Sequence, residues 1–177
     1  MNLPNKLTIL RIFMVPIFII FMYLDFEASR LVATAIFCIA SFTDFLDGYI
    51  ARKNHLVTNF GKFADPLADK ILVCAALIML ASYGTIPAYC VIIIEAREFA
   101  VSGLRILAAS SNVTIAASSL GKFKTVSQLI SMILLLTGIE SLNNIGLIIF
   151  YFAVIMTIIS GIDYFTKNKK VLDLENL

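Results

Sequence analysis

Four aspartates between residues 44 and 69 are the side chains of this sequence best suited to chemistry. The chain reads Asp44-Phe-Leu-Asp47-Gly48-Tyr-Ile-Ala51-Arg52 and, after eight more residues, Gly61-Lys-Phe-Ala-Asp65-Pro-Leu-Ala-Asp69. Asp44 and Asp47 are three residues apart and Asp65 and Asp69 four apart, so each pair lies on one face of a helix. A short loop between antiparallel helices can bring these faces together. The sequence therefore predicts a cluster of four carboxylates.

Carboxylates packed this closely repel one another, and no basic residue is interleaved at contact spacing on the two helix faces. Hard divalent cations are the simplest remedy, because they bind oxygen ligands. We expect two Mg²⁺ or Mn²⁺ ions, since oxygen-only ligands with open positions suit these metals and paired ions can clamp a phosphate during in-line displacement. On chemistry alone, the alternative is a proton or cation pathway in a transporter.

Small residues and an arginine accompany the first aspartate pair. Gly48 and Ala51 fall on the face of Asp44 and leave room for a flat ligand, and Arg52 can meet a phosphate with two hydrogen bonds. The alternative for Gly48, Ala51 and Gly61 is ordinary close packing between helices.

Composition excludes a soluble globular domain. Of the 177 residues, 60% are apolar and only 15% are charged, and the mean hydropathy is +0.93. The formal net charge of +2 is too balanced for a nucleic-acid-binding protein. Apolar windows and breakers predict an all-α integral membrane protein, a single domain over residues 1–177. Its six helices form a compact bundle at about 7–24, 31–52, 62–82, 87–107, 120–139 and 145–165.

Zinc, disulfide and redox chemistry are not indicated. Cys38, Cys74 and Cys90 lie far apart in apolar segments, and the only histidine, His55, sits in a polar stretch. We expect three buried thiols and one solvated imidazole.

The distribution of Lys and Arg predicts the topology. With six spans, thirteen of the fourteen cationic side chains fall on one side, and Arg30 alone falls on the other. Because cytoplasmic loops are enriched in Lys and Arg, both termini are expected in the cytoplasm. Merging the third and fourth helices would scatter these charges, so we place a hairpin at residues 83–87.

Several charged side chains fall inside the predicted spans, near their cytoplasmic ends. Besides the four aspartates, they are Arg97, Glu98, Arg105 and Asp163. Charges facing hydrocarbon are costly, so these groups should face one another, water or an ion. The sequence thus predicts a polar chamber near the cytoplasmic interface.

The spacing Asp-x2-Asp-Gly-x2-Ala-Arg-x8-Gly-x3-Asp-x3-Asp resembles the signature of the CDP-alcohol phosphotransferase family, without a departure. The resemblance implies a six-span enzyme, usually a homodimer, that uses two divalent ions to transfer a phosphoryl group from a CDP-linked donor to an alcohol and releases CMP. It implies metal ligands at Asp44, Asp47, Asp65 and Asp69, with Asp69 also the base. It places the cytidine diphosphate at Asp47, Gly48, Ala51, Arg52 and Gly61.

Nearly all of the remaining chain resembles the bacterial branch of this family that makes phosphatidylglycerophosphate. Matching stretches include Arg97-Glu98-Phe-Ala-Val-Ser-Gly-Leu-Arg105 and Leu120-Gly121-Lys122-Phe-Lys124-Thr125. The implied donor is CDP-diacylglycerol, the acceptor sn-glycerol 3-phosphate, and the location the bacterial cytoplasmic membrane, with the site facing the cytoplasm among membrane lipids. Sister enzymes that use another alcohol remain the alternative.

A phosphorylated acceptor also needs cations beyond those that serve the donor. The candidates for its phosphate are Arg11, Arg97, Arg105, Lys122 and Lys124. We expect Asp163 to orient one of these cations. The alternative for the lysines is snorkelling at the interface, and Glu98 or Glu95 could simply neutralise Arg97.

Overall fold

The computed structural model describes residues 3–53, 59–111, 113, 115–116 and 118–172, and every regular element in these ranges is helical. The helices are α1 (Leu3–Tyr23), α2 (Ser29–Lys53), α3 (Asn59–Ser82), α4 (Ala88–Ser110), α5 (Ser119–Leu136) and α6 (Glu140–Lys167), followed by a short 3-10 helix (Lys169–Leu172). The all-helical fold with six α-helices is confirmed. His55 lies outside the described residues.

The largest difference from the predicted bounds lies between α5 and α6. The sequence predicts a turn at residues 140–144, but α6 already begins at Glu140. An acidic residue in the first turn stabilises a helix N-terminus, which favours this earlier start. Gly138, with φ of +69°, adopts the left-handed conformation that shortens the connection.

The predicted hairpin separates α3 from α4. Gly84 has φ of +69°, its N–H donates to the Ala81 carbonyl at 2.9 Å, and the Thr85 N–H donates to the Leu80 carbonyl at 3.0 Å. This left-handed glycine closes the C-terminus of α3. Pro87 then stands at the N-cap of α4 with an extended backbone. The alternative of one continuous helix is therefore excluded.

Three helices are long and apolar enough to cross a membrane within the part of the chain that the structure describes. They are Asn5–Tyr23, Ser119–Leu136 and Glu140–Lys167. The other three helices have 25, 24 and 23 residues, and they carry the charged side chains of the predicted chamber except Asp163, which lies on α6. The apolar character of α1, α5 and α6 supports a membrane protein.

The apolar core fills the half of the bundle away from the aspartates. Phe18 of α1 packs against Phe37 of α2 with ring centroids 6.0 Å apart, and Leu77, Leu135 and Phe150 are fully or almost fully buried in the same cluster. Polar side chains are buried in the other half. The fold thus gathers the charged side chains of the predicted chamber at one end of the bundle.

Arg30, the exception in the charge distribution, lies at the opposite end and caps α5. Its Nη2 and Nε atoms donate to the carbonyls of Leu135 and Leu136 at 3.1 and 3.3 Å. Its guanidinium also lies 5.1 Å from the centre of the Tyr83 ring. A cation at a helix C-terminus is favourable. The carbonyls of α5 therefore stabilise Arg30 at the end of the bundle where the charge distribution disfavours a cation.

The close packing of α5 on α6 yields a stability prediction. A Cβ atom on Gly146 of α6 would lie 2.8 and 2.9 Å from two atoms of Leu135, whereas a Cβ on Gly103 of α4 would meet nothing within 4 Å. Both Gly146→Ala and Gly103→Ala gain helix propensity, but only the first is overpacked. Thermal unfolding in detergent should show Gly146→Ala less stable than Gly103→Ala by about 1–3 kcal/mol. Equal stability of the two variants would contradict the packing described here.

Candidate active site

Asp44, the first carboxylate of the predicted cluster, is held by an arginine from α1. Arg11 Nη1 lies 2.8 Å from Asp44 Oδ1, and Arg11 Nε donates to the Ala40 carbonyl at 3.3 Å. The Arg11 side chain is 0% exposed and the Asp44 side chain 37% exposed. A buried guanidinium requires a charged partner, so this pair fixes α1 against α2.

Arg11, expected among the cations for an acceptor phosphate, lies beside the carboxylates, and its contact with a phosphate stays a prediction. Three residues before it, Thr8 is fully buried on the same face of α1 and donates from Oγ1 to Asp65 Oδ1 at 2.5 Å. Helix α1 therefore contacts an aspartate of α2 and an aspartate of α3. Arg11 supports the carboxylates because the packing of α1 turns its side chain toward Asp44.

Asp69, the last aspartate of the motif, borders two cavities. The inner cavity has a volume of about 300 Å³ and lies among α2, α3, α4 and α5; its walls include Asp44, Asp69, Glu95, Glu98, Lys124 and Gln128. The outer cavity has about 560 Å³, and its walls include Asp69, Lys70, Arg97, Glu98, Arg105 and Lys122. Asp69 is thus the predicted catalytic residue that both cavities share.

The structure brings together part of the predicted metal-binding set. Asp44 and Asp69 border the inner cavity, and Asp65 lies one turn before Asp69 on α3. Among the residues that the structure describes, no group of three or more His, Cys, Asp or Glu side chains is close enough to hold a metal ion. Asp47 lies in α2, and its side chain is outside the described part of the structure.

The predicted CDP-binding residues lie in the C-terminal part of α2 and the first turn of α3. Gly48, Ala51 and Arg52 have helical backbones in α2, but, as for Asp47, the structure does not describe their side chains or environments. Gly61 is buried in the first turn of α3. These five assignments remain predictions.

Glu98 connects the cations of the chamber. Its Oε1 atom lies 2.6 Å from Lys124 Nζ and 3.0 Å from Arg97 Nη1. The backbone carbonyl of Glu98 accepts from Lys70 Nζ at 3.3 Å, and the same ammonium contacts the Ser102 hydroxyl. Arg97 Nη2 donates to Ser160 of α6 at 3.2 Å. The Glu98 carboxylate therefore joins α4 to α5 through Lys124. Lys70 of α3 contacts the backbone carbonyl of the same residue, and Arg97 extends the network to Ser160 of α6.

The first turn of α5 forms part of the outer cavity. Ser118 is the N-cap residue, and its Oγ accepts a hydrogen bond from the Gly121 N–H at 3.0 Å. A Cβ on Gly121 would lie 3.6 Å from Arg97 Nη2, so the guanidinium lies close to this turn. Lys122 follows and borders the same cavity. A helix N-terminus and two cations thus face one space, which favours an anion.

Arg105 and Asp163 have partners on α6. Arg105 Nε donates to the Tyr164 hydroxyl at 2.9 Å, and the guanidinium lies 5.6 Å from the centre of that ring. Asp163 contacts Lys167, four residues later on its own helix, at 2.8 Å. The expected role of Asp163 in orienting an acceptor cation therefore needs correction, because the nearer partner is on α6 itself.

Three contributing side chains were missed or left without a role in the sequence analysis: Thr8, Ser160 and Gln128. Each is a polar residue that is fully or almost fully buried in the bundle. Their spacing carried a signal. Thr8 lies three residues before Arg11, and Gln128 four residues after Lys124, so each shares a helix face with a cation.

Comparisons with known proteins agree with this geometry. Residues 1–159 match the family described as CDP-alcohol phosphatidyltransferase. A Bacillus subtilis protein named CDP-diacylglycerol--glycerol-3-phosphate 3-phosphatidyltransferase is 46% identical over 196 aligned positions that cover 99% of both chains. Proteins of the same name from Rickettsia bellii and Haemophilus influenzae are 44% and 41% identical and cover 96% and 99% of this chain, and 96% and 97% of their own. The chain therefore belongs to the CDP-alcohol phosphatidyltransferase family.

Proposed function

We propose that this protein transfers the phosphatidyl group of CDP-diacylglycerol to sn-glycerol 3-phosphate, giving phosphatidylglycerophosphate and CMP. The names of the relatives support this reaction. The observation that carries it is the meeting of a cationic cavity and a carboxylate cavity at Asp69. Such a site can hold a phosphorylated acceptor on one side and the reacting diphosphate on the other.

The charge of the outer cavity suits a phosphate dianion. Four cations border it, Lys70, Arg97, Arg105 and Lys122, together with two carboxylates, Asp69 and Glu98. The surplus of two positive charges matches a phosphate monoester, which carries nearly two negative charges at neutral pH. Moreover, Arg97 Nε is buried without a hydrogen-bond partner among the described residues, and a bound anion would supply one.

Lys124 acts from the inner cavity in this proposal. Its side chain is only 4% exposed and lies against Glu98, so it holds the carboxylate that also contacts Arg97. Lys124 therefore supports the phosphate site through Glu98 and adds to its positive potential.

Asp44, Asp47, Asp65 and Asp69 are the proposed ligands of two divalent ions, Mg²⁺ or Mn²⁺. The fit rests on the donor set: the described members offer only carboxylate oxygens from α2 and α3, and Thr8 and Arg11 orient two of them. When bound, the ions would neutralise the diphosphate oxygens of the donor. Asp47, Gly48, Ala51, Arg52 and Gly61 remain the proposed contacts of the cytidine diphosphate.

Asp69 is the proposed general base for the 1-hydroxyl of the acceptor. An alkyl hydroxyl is about ten pKa units less acidic than a carboxylic acid, so Asp69 cannot deprotonate it beforehand. The proton must therefore move to the carboxylate while the new P–O bond forms and the bond to CMP breaks. The position of Asp69 in the walls of both cavities supports this role.

Two alternatives fit the site less well. A sister transferase with an unphosphorylated acceptor such as serine would leave the surplus cations of the outer cavity without a ligand. A cation transporter would have to pass its ion beside those same cations, which oppose it electrostatically.

We further propose six membrane spans, with both termini and the site on the cytoplasmic side of a bacterial cytoplasmic membrane. Helices α2, α3 and α4 have 25, 24 and 23 residues, and about 20 are enough to cross the hydrocarbon. Apart from Arg30, their charged side chains lie toward the end that carries the site, where water and head groups can reach them. A homodimer is proposed from family membership alone.

Chelation tests the metal proposal. Treatment of the purified enzyme with EDTA should abolish CMP release, because clustered carboxylates then lack the ions that neutralise both them and the donor. Addition of excess Mg²⁺ or Mn²⁺ should restore it. Undiminished turnover after thorough chelation would contradict the proposed dependence on divalent metal ions.

Replacement of Asp69 tests its role as base. Asp69→Asn keeps the shape and a neutral oxygen but cannot take up the proton, so kcat should fall at least about 100-fold while the donor still binds. Asp163→Asn is the matched control, because this carboxylate contacts Lys167 on α6, and its kcat should stay near the wild-type value. Asp69→Asn with more than about a tenth of wild-type turnover would exclude the catalytic role.

Neutralising the acceptor cations tests the choice of substrate. Arg97→Gln, Arg105→Gln and Lys122→Gln each remove a charge-assisted contact of about 1.5–3 kcal/mol, so kcat/KM for glycerol 3-phosphate should fall about 10- to 150-fold with little change in donor KM. Lys124→Gln should act in the same direction through Glu98. Lys169→Gln removes the same charge from an exposed position and is the control. Normal acceptor kinetics in all four site variants would leave the phosphorylated acceptor without structural support.

A further inference from the structure

Gln128 of α5 has a buried acceptor atom that the fold does not satisfy. The residue is only 4% exposed, and its Nε2 atom donates to the Met132 sulfur at 3.8 Å. Its Oε1 atom is buried and has no hydrogen-bond partner within the part of the protein that the structure describes. A buried carbonyl oxygen without a donor destabilises a fold, so this one can accept a hydrogen bond from a molecule that enters the cavity.

The position of Gln128 connects this atom to the reaction centre. Gln128 and Asp69 border the same inner cavity, whose volume of about 300 Å³ exceeds what one water molecule occupies. Thr125 of α5 borders both cavities, and Gln128 lies one turn further along the same face of this helix. A molecule with its phosphate in the outer cavity and a hydroxyl at Asp69 would therefore lie where the two cavities meet, beside the turn of α5 that carries Thr125 and Gln128.

The chemistry of the amide limits what the donor can be. Carboxylates already surround the inner cavity at Asp44, Asp69, Glu95 and Glu98, and Glu98 is engaged by Lys124. A further cation would find a charged acceptor in one of these groups. A neutral amide oxygen suits an uncharged donor, and in a polyol phosphate that donor is a hydroxyl.

We propose that Gln128 Oε1 accepts a hydrogen bond from the acceptor hydroxyl adjacent to the reacting one, and so selects acceptors that carry both hydroxyls. This inference rests on the proposed function. The contact orients the carbon between the phosphate and the attacking oxygen, so it also aligns the 1-hydroxyl with Asp69. An acceptor without this hydroxyl leaves the amide oxygen unsatisfied, and a site built around a hydrogen bond rejects such an analogue.

The experiment compares two acceptors in the full-length enzyme: sn-glycerol 3-phosphate and 3-hydroxypropyl phosphate, which lacks only the middle hydroxyl. CMP release gives kcat/KM for each. Wild-type enzyme should prefer glycerol 3-phosphate by about 10- to 100-fold. In Gln128→Met, which is similar in size but has no acceptor oxygen, this ratio should fall to within about threefold of one.

A matched control separates recognition from general damage to α5. Ser131→Ala changes a buried polar residue one turn further along α5, whose hydroxyl donates to the Gln128 backbone carbonyl at 2.8 Å. It should retain the wild-type ratio even if its stability falls, because it removes no contact to the acceptor.

Each outcome bears on one proposal. A wild-type ratio near one overturns the role of Gln128 without need of a folded variant, and so does a Gln128→Met variant that keeps the wild-type ratio. Failure of the wild-type enzyme to release CMP with either acceptor, while it does so with an unphosphorylated alcohol, instead overturns the proposed function.

Discussion

The carboxylate of Glu98 is the interaction on which the arrangement of the site depends. Lys124 is almost completely buried, and an ammonium in that position would cost several kcal/mol without an anionic partner. Glu98 supplies that partner at 2.6 Å and also contacts Arg97, which in turn reaches Ser160. Because Lys70 contacts the same turn of α4, the positions of α3, α4, α5 and α6 around the chamber are coupled through this one residue. Two cations of the outer cavity, Lys70 and Arg97, are thus held in place before any substrate is present.

A second charged contact organises the carboxylate side of the chamber by the same physics. Arg11 has no exposed surface and contacts Asp44, while Thr8 on the same face of α1 contacts Asp65. Helix α1 is among the most apolar elements, yet the end of its buried face that lies at the site is polar. The two halves of the bundle therefore differ in what holds them together: apolar packing around Phe18 and Phe37 at one end, and paired charges at the other.

Local patterns in the sequence were enough to predict the helices and part of the site. Six helices, the hairpin at Gly84 and Pro87, and the placement of Asp44 and Asp69 in one chamber all depend on apolar periodicity, breakers and helical spacing. The partners of Arg11 and Asp163 were not predicted, because a helical spacing fixes the face of a residue but not which helix packs against that face. Gln128 was missed for a related reason: its spacing from Lys124 indicates a shared helix face, but only tertiary packing shows that its amide oxygen is buried without a donor among the described residues.

The separation of the two charge types has a consequence for mechanism. Carboxylates predominate around the inner cavity and cations around the outer one, with Asp69, Lys70 and Glu98 bordering both. If all these charges shared one cavity, the lysines and arginines would pair with the aspartates and neither substrate would find a complementary surface. Glu98 and Arg11 prevent this by satisfying selected members of each set from within the protein. In the proposed reaction the remaining charges would meet two phosphorylated substrates, and Asp69, the only described aspartate that borders both cavities, would receive the proton.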